Sequence, residues 1–297
     1  MSHAAGRRRR PLLRAAVASA ALLAVGAGTT VYVTTQPHDA TALVSRTTAE
    51  RSPVDRDAQL AAAVRALADG HDGEVSVAVL DVTGGASATY ASGDGTYDTA
   101  SIVKVDVLAA LLLRAQDEDR ALTAREKAYA AAMIERSDND ATTALWSTIG
   151  GADGLDAANG RLGLTRTTGG DGPLWGLTQT TAADQLVLLR QVFGVGGSVL
   201  SAASRAYVQG LMGNVEADQA WGVSAAGSAG AAAELKNGWL RRSTTELWDI
   251  NSVGRVSAAE RRYLVAVVSN GSTTKDDGIA LVEGVARAAV GAVSGDA

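Results

Sequence analysis

The feature that most constrains this chain is a change of apolar period along it. Val75, Val77 and Val79 alternate with smaller residues, as a strand requires, and the same period returns over 234–241, 246–256 and 261–269. Between them, from about 102 to 230, the spacing is helical instead. Ile102 to Ala115 is strongly apolar. Thr123-Ala124-Arg125-Glu126 has the order of a capping box, and 139–149 and 181–193 read as further helices. Helical spacing also marks 55–69, before the first strand, and 279–290, after the last. A second strand is expected over 87–97, interrupted by Gly93-Asp94-Gly95. The expected class is α/β of the α+β type: an antiparallel sheet covered by the terminal helices, with an all-helical subdomain inserted at about 102–230.

The first 42 residues read differently. Arg7 to Arg10 form a basic cluster, and 15–33 is a run of small and apolar residues. A basic flank before such a run is an export device. Its length is near the ~20 residues that span a bilayer, while Ala40-Thr41-Ala42 offers a small-residue cleavage site. A cleaved signal peptide and an uncleaved anchor both stay open. Either places the rest of the chain outside the cytoplasm, with 43–54 as linker and 55–297 as the folded domain. The membrane is expected to be touched only through the N-terminal segment, and a monomer is expected.

Composition removes several kinds of chemistry. The chain carries a net charge of −5, and its first 42 residues hold five Arg against one Asp, which leaves about −9 on the remainder. Nucleic acid is therefore not an expected partner. There is no cysteine and thus no thiolate nucleophile or thiolate metal site. Of the three histidines only His71 lies in the folded domain, in the polar turn Asp69-Gly70-His71-Asp72-Gly73, where a solvated loop residue is expected. No metal and no cofactor are expected, and a hydrolase built here would use a base other than histidine.

Lysine is scarce: Lys104, Lys127, Lys236 and Lys275 are the only four. Two fall in short motifs. Ser101-Ile102-Val103-Lys104 opens the first inserted helix, Ser137-Asp138-Asn139 joins two later helices, and Lys236-Asn237-Gly238 lies on the first returning strand. Serine and lysine three apart on a helix share a face. Serine attacks only when a neighbour takes its proton, and a desolvated lysine can do so in its neutral form. Ser101 is thus the expected nucleophile and Lys104 its base. Ser272-Thr273-Thr274-Lys275 has the same spacing, but follows Asn270-Gly271 and reads as a turn.

The ordered set resembles the three-motif signature of class A β-lactamases and penicillin-binding proteins, over about residues 55–293. The resemblance implies an acyl-enzyme on Ser101, formed with β-lactams or peptidoglycan-type peptides ending in D-Ala. It implies that Ser137 passes a proton to the leaving nitrogen and that Lys236 sets positive charge near the substrate carboxylate. Asn139, Asn237, Gly238 and Trp239 would meet the substrate, with N–H groups of Ser101 and Trp239 as the oxyanion hole.

The pattern departs from the family in three places. Asn237 stands where Thr is usual. The stretch from Ser101 to Ser137 is short for the family. The Glu that readies the deacylating water has no counterpart, because Glu216 and Glu234 are the only Glu between the second and third motifs. Over 165–180 the one carboxylate is Asp171, either a replacement base or a residue that solvates the Gly169–Gly172 turn. Slow deacylation follows from that loss, and a non-catalytic binding module for wall peptide or a partner is the alternative. Trp239 is expected beside the site and the other tryptophans in the core, while Arg241 and Arg242 read as exposed strand charges or as aids to an anionic substrate.

Overall fold

The computed structural model describes residues 55–295, so the expected export segment and the linker lie outside it. Helix α1 (Arg56–Leu67) begins where the Asp55 carboxylate accepts the Ala58 N–H at 3.0 Å, and it buries Leu60 and Val64. Strand β1 (Val75–Asp81) follows, then β2 (Ser87–Ala91) and the two-residue β3 (Tyr97–Asp98). The inserted helices are α2 (Val103–Asp117), α3 (Ala124–Glu135), α4 (Asn139–Ile149) and α5 (Gly151–Leu162). After strand β4 (Gln179–Thr180) come α6 (Ala182–Phe193) and α7 (Ala202–Met212). The chain returns to the sheet with β5 (Glu234–Arg241), β6 (Trp248–Ala258) and β7 (Arg261–Ser272), and ends on α8 (Lys275–Ser294).

The main sheet has the order β2-β1-β7-β6-β5, antiparallel throughout. Period-two alternation divides its apolar side chains between two buried clusters. Ala78, Leu264, Ala266 and Val268 pack among the inserted helices, while Val77, Val79, Val265 and Val267 pack with Leu60 and Val64 of α1 and Val282 and Val285 of α8. With both faces covered, β1 and β7 read as nearly continuous Val-rich runs. Helix α2 runs through the insertion with almost every residue from Val103 to Leu113 buried. An apolar helix of that kind belongs in a core. The expected class, sheet and insertion are all present.

Three local readings are corrected. The second strand stops at Ala91, because Gly93 turns against the Glu74 carboxylate, where an added Cβ would lie 2.5 Å from Oε1. Tyr97 and Asp98 pair instead with Thr180 and Gln179 in a separate two-stranded sheet. The strand expected from 246 begins at Trp248, since Glu246 takes a left-handed φ of 63° in the turn. Thr274, expected within a turn, caps α8 by accepting the Asp277 N–H at 3.1 Å, so the last helix begins at Lys275.

Candidate active site

Ser101 sits in a 3-10 turn (Ala100–Ile102) that leads directly into α2. Ala100 before it has a φ of 46°, a conformation an L-residue adopts only where the surrounding structure holds it. As the second residue of the turn, Ser101 presents one of the N–H groups that a helix start leaves unpaired. Gly238 of β5 packs against this turn: a Cβ there would lie 2.8 Å from Ser101 N and 2.7 Å from Thr99 O. Only glycine lets the strand come that close. Because β5 is an edge strand, alternate N–H groups along it have no strand partner.

The second motif is shaped by its own cap. Asp138 accepts the Ala141 N–H at 2.7 Å and starts α4, and Ser137 is held at a left-handed φ of 56°. Ser137 Oγ then lies 3.0 Å from Lys104 Nζ and 3.0 Å from Lys236 Nζ. Lys104 also donates to Ser137 O at 2.7 Å and to Asn139 Oδ1 at 2.9 Å, and Lys236 donates to Asn237 O at 3.0 Å. Both lysines are fully buried. Burial pushes the Lys104 amine down to about 6, and the charge of Lys236 adds to the effect. Burial also carries Lys236 down to about 7. A neutral amine can accept a proton near neutral pH, and a hydroxyl with one proton and two lone pairs can relay it.

The cleft beside Ser101 has a volume of about 440 Å³ and is lined by Asn139, Trp175, Leu177, Leu240, Arg241 and Arg242, among others. The Trp175 ring lies over Lys104, with Nζ 5.0 Å from its centroid. Among the described residues, no carboxylate lines this cleft.

A family model described as the beta-lactamase enzyme family matches residues 59–128 and 122–293. The chain belongs to that family. Its fold is that of a class A β-lactamase from Bacteroides cellulosilyticus (TM-score 0.69, 16% identity, 81% of this chain and 99% of that one). It is also that of a β-lactamase from Xanthomonas campestris (TM-score 0.66, 22% identity, 80% and 98%). A structure described as PBP-A matches as well (TM-score 0.65, 21% identity, 77% and 93%). No curated protein matches the sequence.

Within this family frame, Lys104, Ser137, Lys236 and Asn139 are joined by hydrogen bonds, and Ser101 lines the same cleft as Asn139. Three other expectations need correction, and of the two readings open for Asp171 its exposure agrees with the solvated one. Asn237 does not offer its side chain to the cleft: its amide donates to Gln219 O at 2.7 Å and Trp221 O at 3.0 Å, and its Oδ1 accepts from Ser252 Oγ at 2.6 Å. It ties β5 to β6 and to the segment before β5. The Trp239 ring turns to the α8 side of the sheet, against Trp221 and under Lys275 Nζ at 4.2 Å, leaving only its backbone beside Ser101. Asp171 is exposed and does not line the cleft. His71 is not merely solvated, since Nε2 lies 2.9 Å from Asn270 O and ties its loop to β7.

The duplicate Ser272-x-x-Lys275 is not a second site. Ser272 ends a strand and Lys275 begins a helix, so the two do not share a helix face. Residue patterns alone missed one residue of the cleft wall. Arg242, open to reading as an aid to an anionic substrate or as an exposed strand charge, lines the cleft and pairs with the Asp98 carboxylate. Trp175 was taken for core, and its place beside three helix-breaking residues, Gly170, Gly172 and Pro173, was the available sign that it sits on a loop.

Proposed function

We propose that the protein is a serine hydrolase that forms an acyl-enzyme on Ser101 with β-lactams or with peptidoglycan-type peptides ending in D-Ala, and that it releases the acyl group slowly. The observation that carries this reading is the position of one hydroxyl, Ser137 Oγ, 3.0 Å from two buried amines, one of them down at about 6. Neutral Lys104 takes the Ser101 proton as Oγ bonds to the substrate carbonyl carbon. The oxyanion is met by the N–H of Ser101 and that of Trp239 on the adjoining edge strand. The proton passes through Ser137 to the leaving nitrogen as the amide bond breaks. Lys236, Arg241 and Arg242 supply positive charge for a substrate carboxylate. The cleft wall offers no carboxylate to ready a water against the ester, so acylation outruns deacylation.

The test is intact-mass analysis of the protein during incubation with a penicillin. The expected result is a one-to-one adduct, absent in Ser101→Ala. An adduct of undiminished yield in that variant would remove Ser101 from the role. A cleft that binds wall peptide without acylation would show no adduct with any penicillin or D-Ala ester. We further propose, from the N-terminal sequence alone, that the domain works outside the cytoplasm.

A further inference from the structure

Arg242 stands between two cavities. On one side it lines the cleft beside Ser101; on the other it lines a second cavity of about 410 Å³, bounded by β3, the β5–β6 turn and the loop that precedes β1. The guanidinium is already committed there. Asp98 of β3 takes both Arg242 and the Gln179 amide, and it is largely buried.

Asp249 of β6 also lines this cavity. It is 5% exposed, and its carboxylate accepts no hydrogen bond among the described residues. Burial pushes it up to about 6, with the charge of Arg242 opposing that rise. Asp72, which is exposed, adds a third carboxylate to the wall, while Arg242 pairs with Asp98 and its charge acts on Asp249. A desolvated carboxylate without a donor is costly unless a cation or donor group comes to it. No group of three or more His, Asp or Glu side chains among the described residues is arranged to hold a metal ion. The remaining lining is hydroxyl and amide in kind, from Thr96, Thr244, Thr245 and Asn270. One carboxylate among hydroxyls suits a compact charge with three donors, the ammonium, better than a planar guanidinium that needs a paired acceptor face.

We propose that this cavity is a second ligand site, which takes a primary ammonium group against Asp249. Substrates of the cleft then carry an amine-ended arm that passes Arg242, an extension that rests on the acylation reading above. The site itself does not depend on that reading, and the two are tested apart.

Calorimetric titration of the protein with 1,5-diaminopentane tests the site. The expected result is saturable binding, unchanged in Ser101→Ala and weakened at least about tenfold in Asp249→Asn, since one partner of a buried charge pair is lost. Thr245 is exposed at the cavity rim, so Thr245→Lys leaves the core intact and should block the same binding with a tethered ammonium. No saturable binding to the unaltered protein, or equal binding to both variants, would overturn the proposal. Tighter binding of pentylguanidine than of the diamine would overturn the choice of ammonium. The substrate arm is read separately, from the acylation rate with a penicillin whose side chain ends in a primary amine against its N-acetyl form. The amine should react faster, and Asp249→Asn should erase the difference. Equal rates in the unaltered protein would overturn the arm. Failure of both penicillins to acylate would overturn the reading of Ser101, while the calorimetry would still decide the site.

Discussion

Two buried groups on α2 have their protons displaced in opposite directions, and both can be read in solution. Lys104 loses its proton near pH 6 in the folded protein, so acylation should rise with pH through that value and then level. The Asp138 charge holds the Lys104 amine up against this fall. Asp138→Asn keeps a good helix cap and removes that charge, so the midpoint of the acylation profile should move to lower pH by roughly 0.5 unit. A midpoint that stays put, or moves up, would contradict the assignment of the profile to Lys104. Asp106, two residues on, is fully buried and pushed up to about 8, by burial first, with the Asn159 amide opposing the rise and the charges of Asp156 and Asp184 adding to it. Between pH 4 and 8 the folded chain keeps this proton while the unfolded chain has lost it, so the group costs stability as pH rises. Asp106→Asn removes that cost. Denaturant titrations should show variant and native chain alike near pH 4, with the variant ahead by about 1–3 kcal/mol at pH 8. Lys104 was legible as a candidate base in the sequence because only four lysines exist. Asp106 was not, because an acid at a helical position reads as solvated until its neighbours are known.

The site is assembled by the contact of two elements, the turn before α2 and the edge strand β5, and Gly238 is what allows that contact. Gly238→Ala puts a carbon within 3.0 Å of Thr99 O, Ser101 N and Ile102 N. None of these is a flexible side-chain end, so the turn or the strand must move. Steric strain of this kind costs on the order of 1–3 kcal/mol. The expected outcome is a lower unfolding midpoint and, at temperatures where the fold persists, acylation slowed by at least about a hundredfold. Acylation at the native rate would show that β5 does not set the nucleophile. Strands and strongly apolar helices were legible from period. The capping box at Thr123 is present as expected, with Glu126 N bonded to Thr123 Oγ1 and Thr123 N to the Glu126 carboxylate. Helices α5 and α7 were not read. The segment Gly151–Leu162 carries three glycines, two Asp and an Asn, all weak helix formers, and is kept helical by Leu155, Ala158 and Leu162 packing into the core.

At the scale of the whole molecule, no carboxylate among the described residues lines the cleft, and the proposed slow release of an adduct rests on this. Losing general-base help costs on the order of 10²–10⁴ in rate, so the acyl-enzyme should persist for minutes, and Asp171→Asn should leave its lifetime unchanged. Rapid turnover without accumulation of adduct, measured by stopped-flow, would contradict this, and a lifetime altered by that substitution would make Asp171 the base after all. Among the described residues no helix is long and apolar enough to cross a membrane, so the proposed placement outside the cytoplasm depends on the first 42 residues. A topology reporter fused after Ala297 should be active only on the outer side, and activity inside would refute the placement.

The insertion of the helices between β2 and β5 also has a temporal meaning. Strand β1 pairs with β2 at once but with β7 through Val75 and Ser269, so its second neighbour in the sheet emerges from synthesis about two thirds of the chain later. Closing such a loop costs entropy before any contact repays it. Ser101 leaves the ribosome early, yet the strand that completes its surroundings comes more than a hundred residues afterwards. A chain emerging N-terminus first therefore carries Ser101 without the strand that packs against it until β5 has followed.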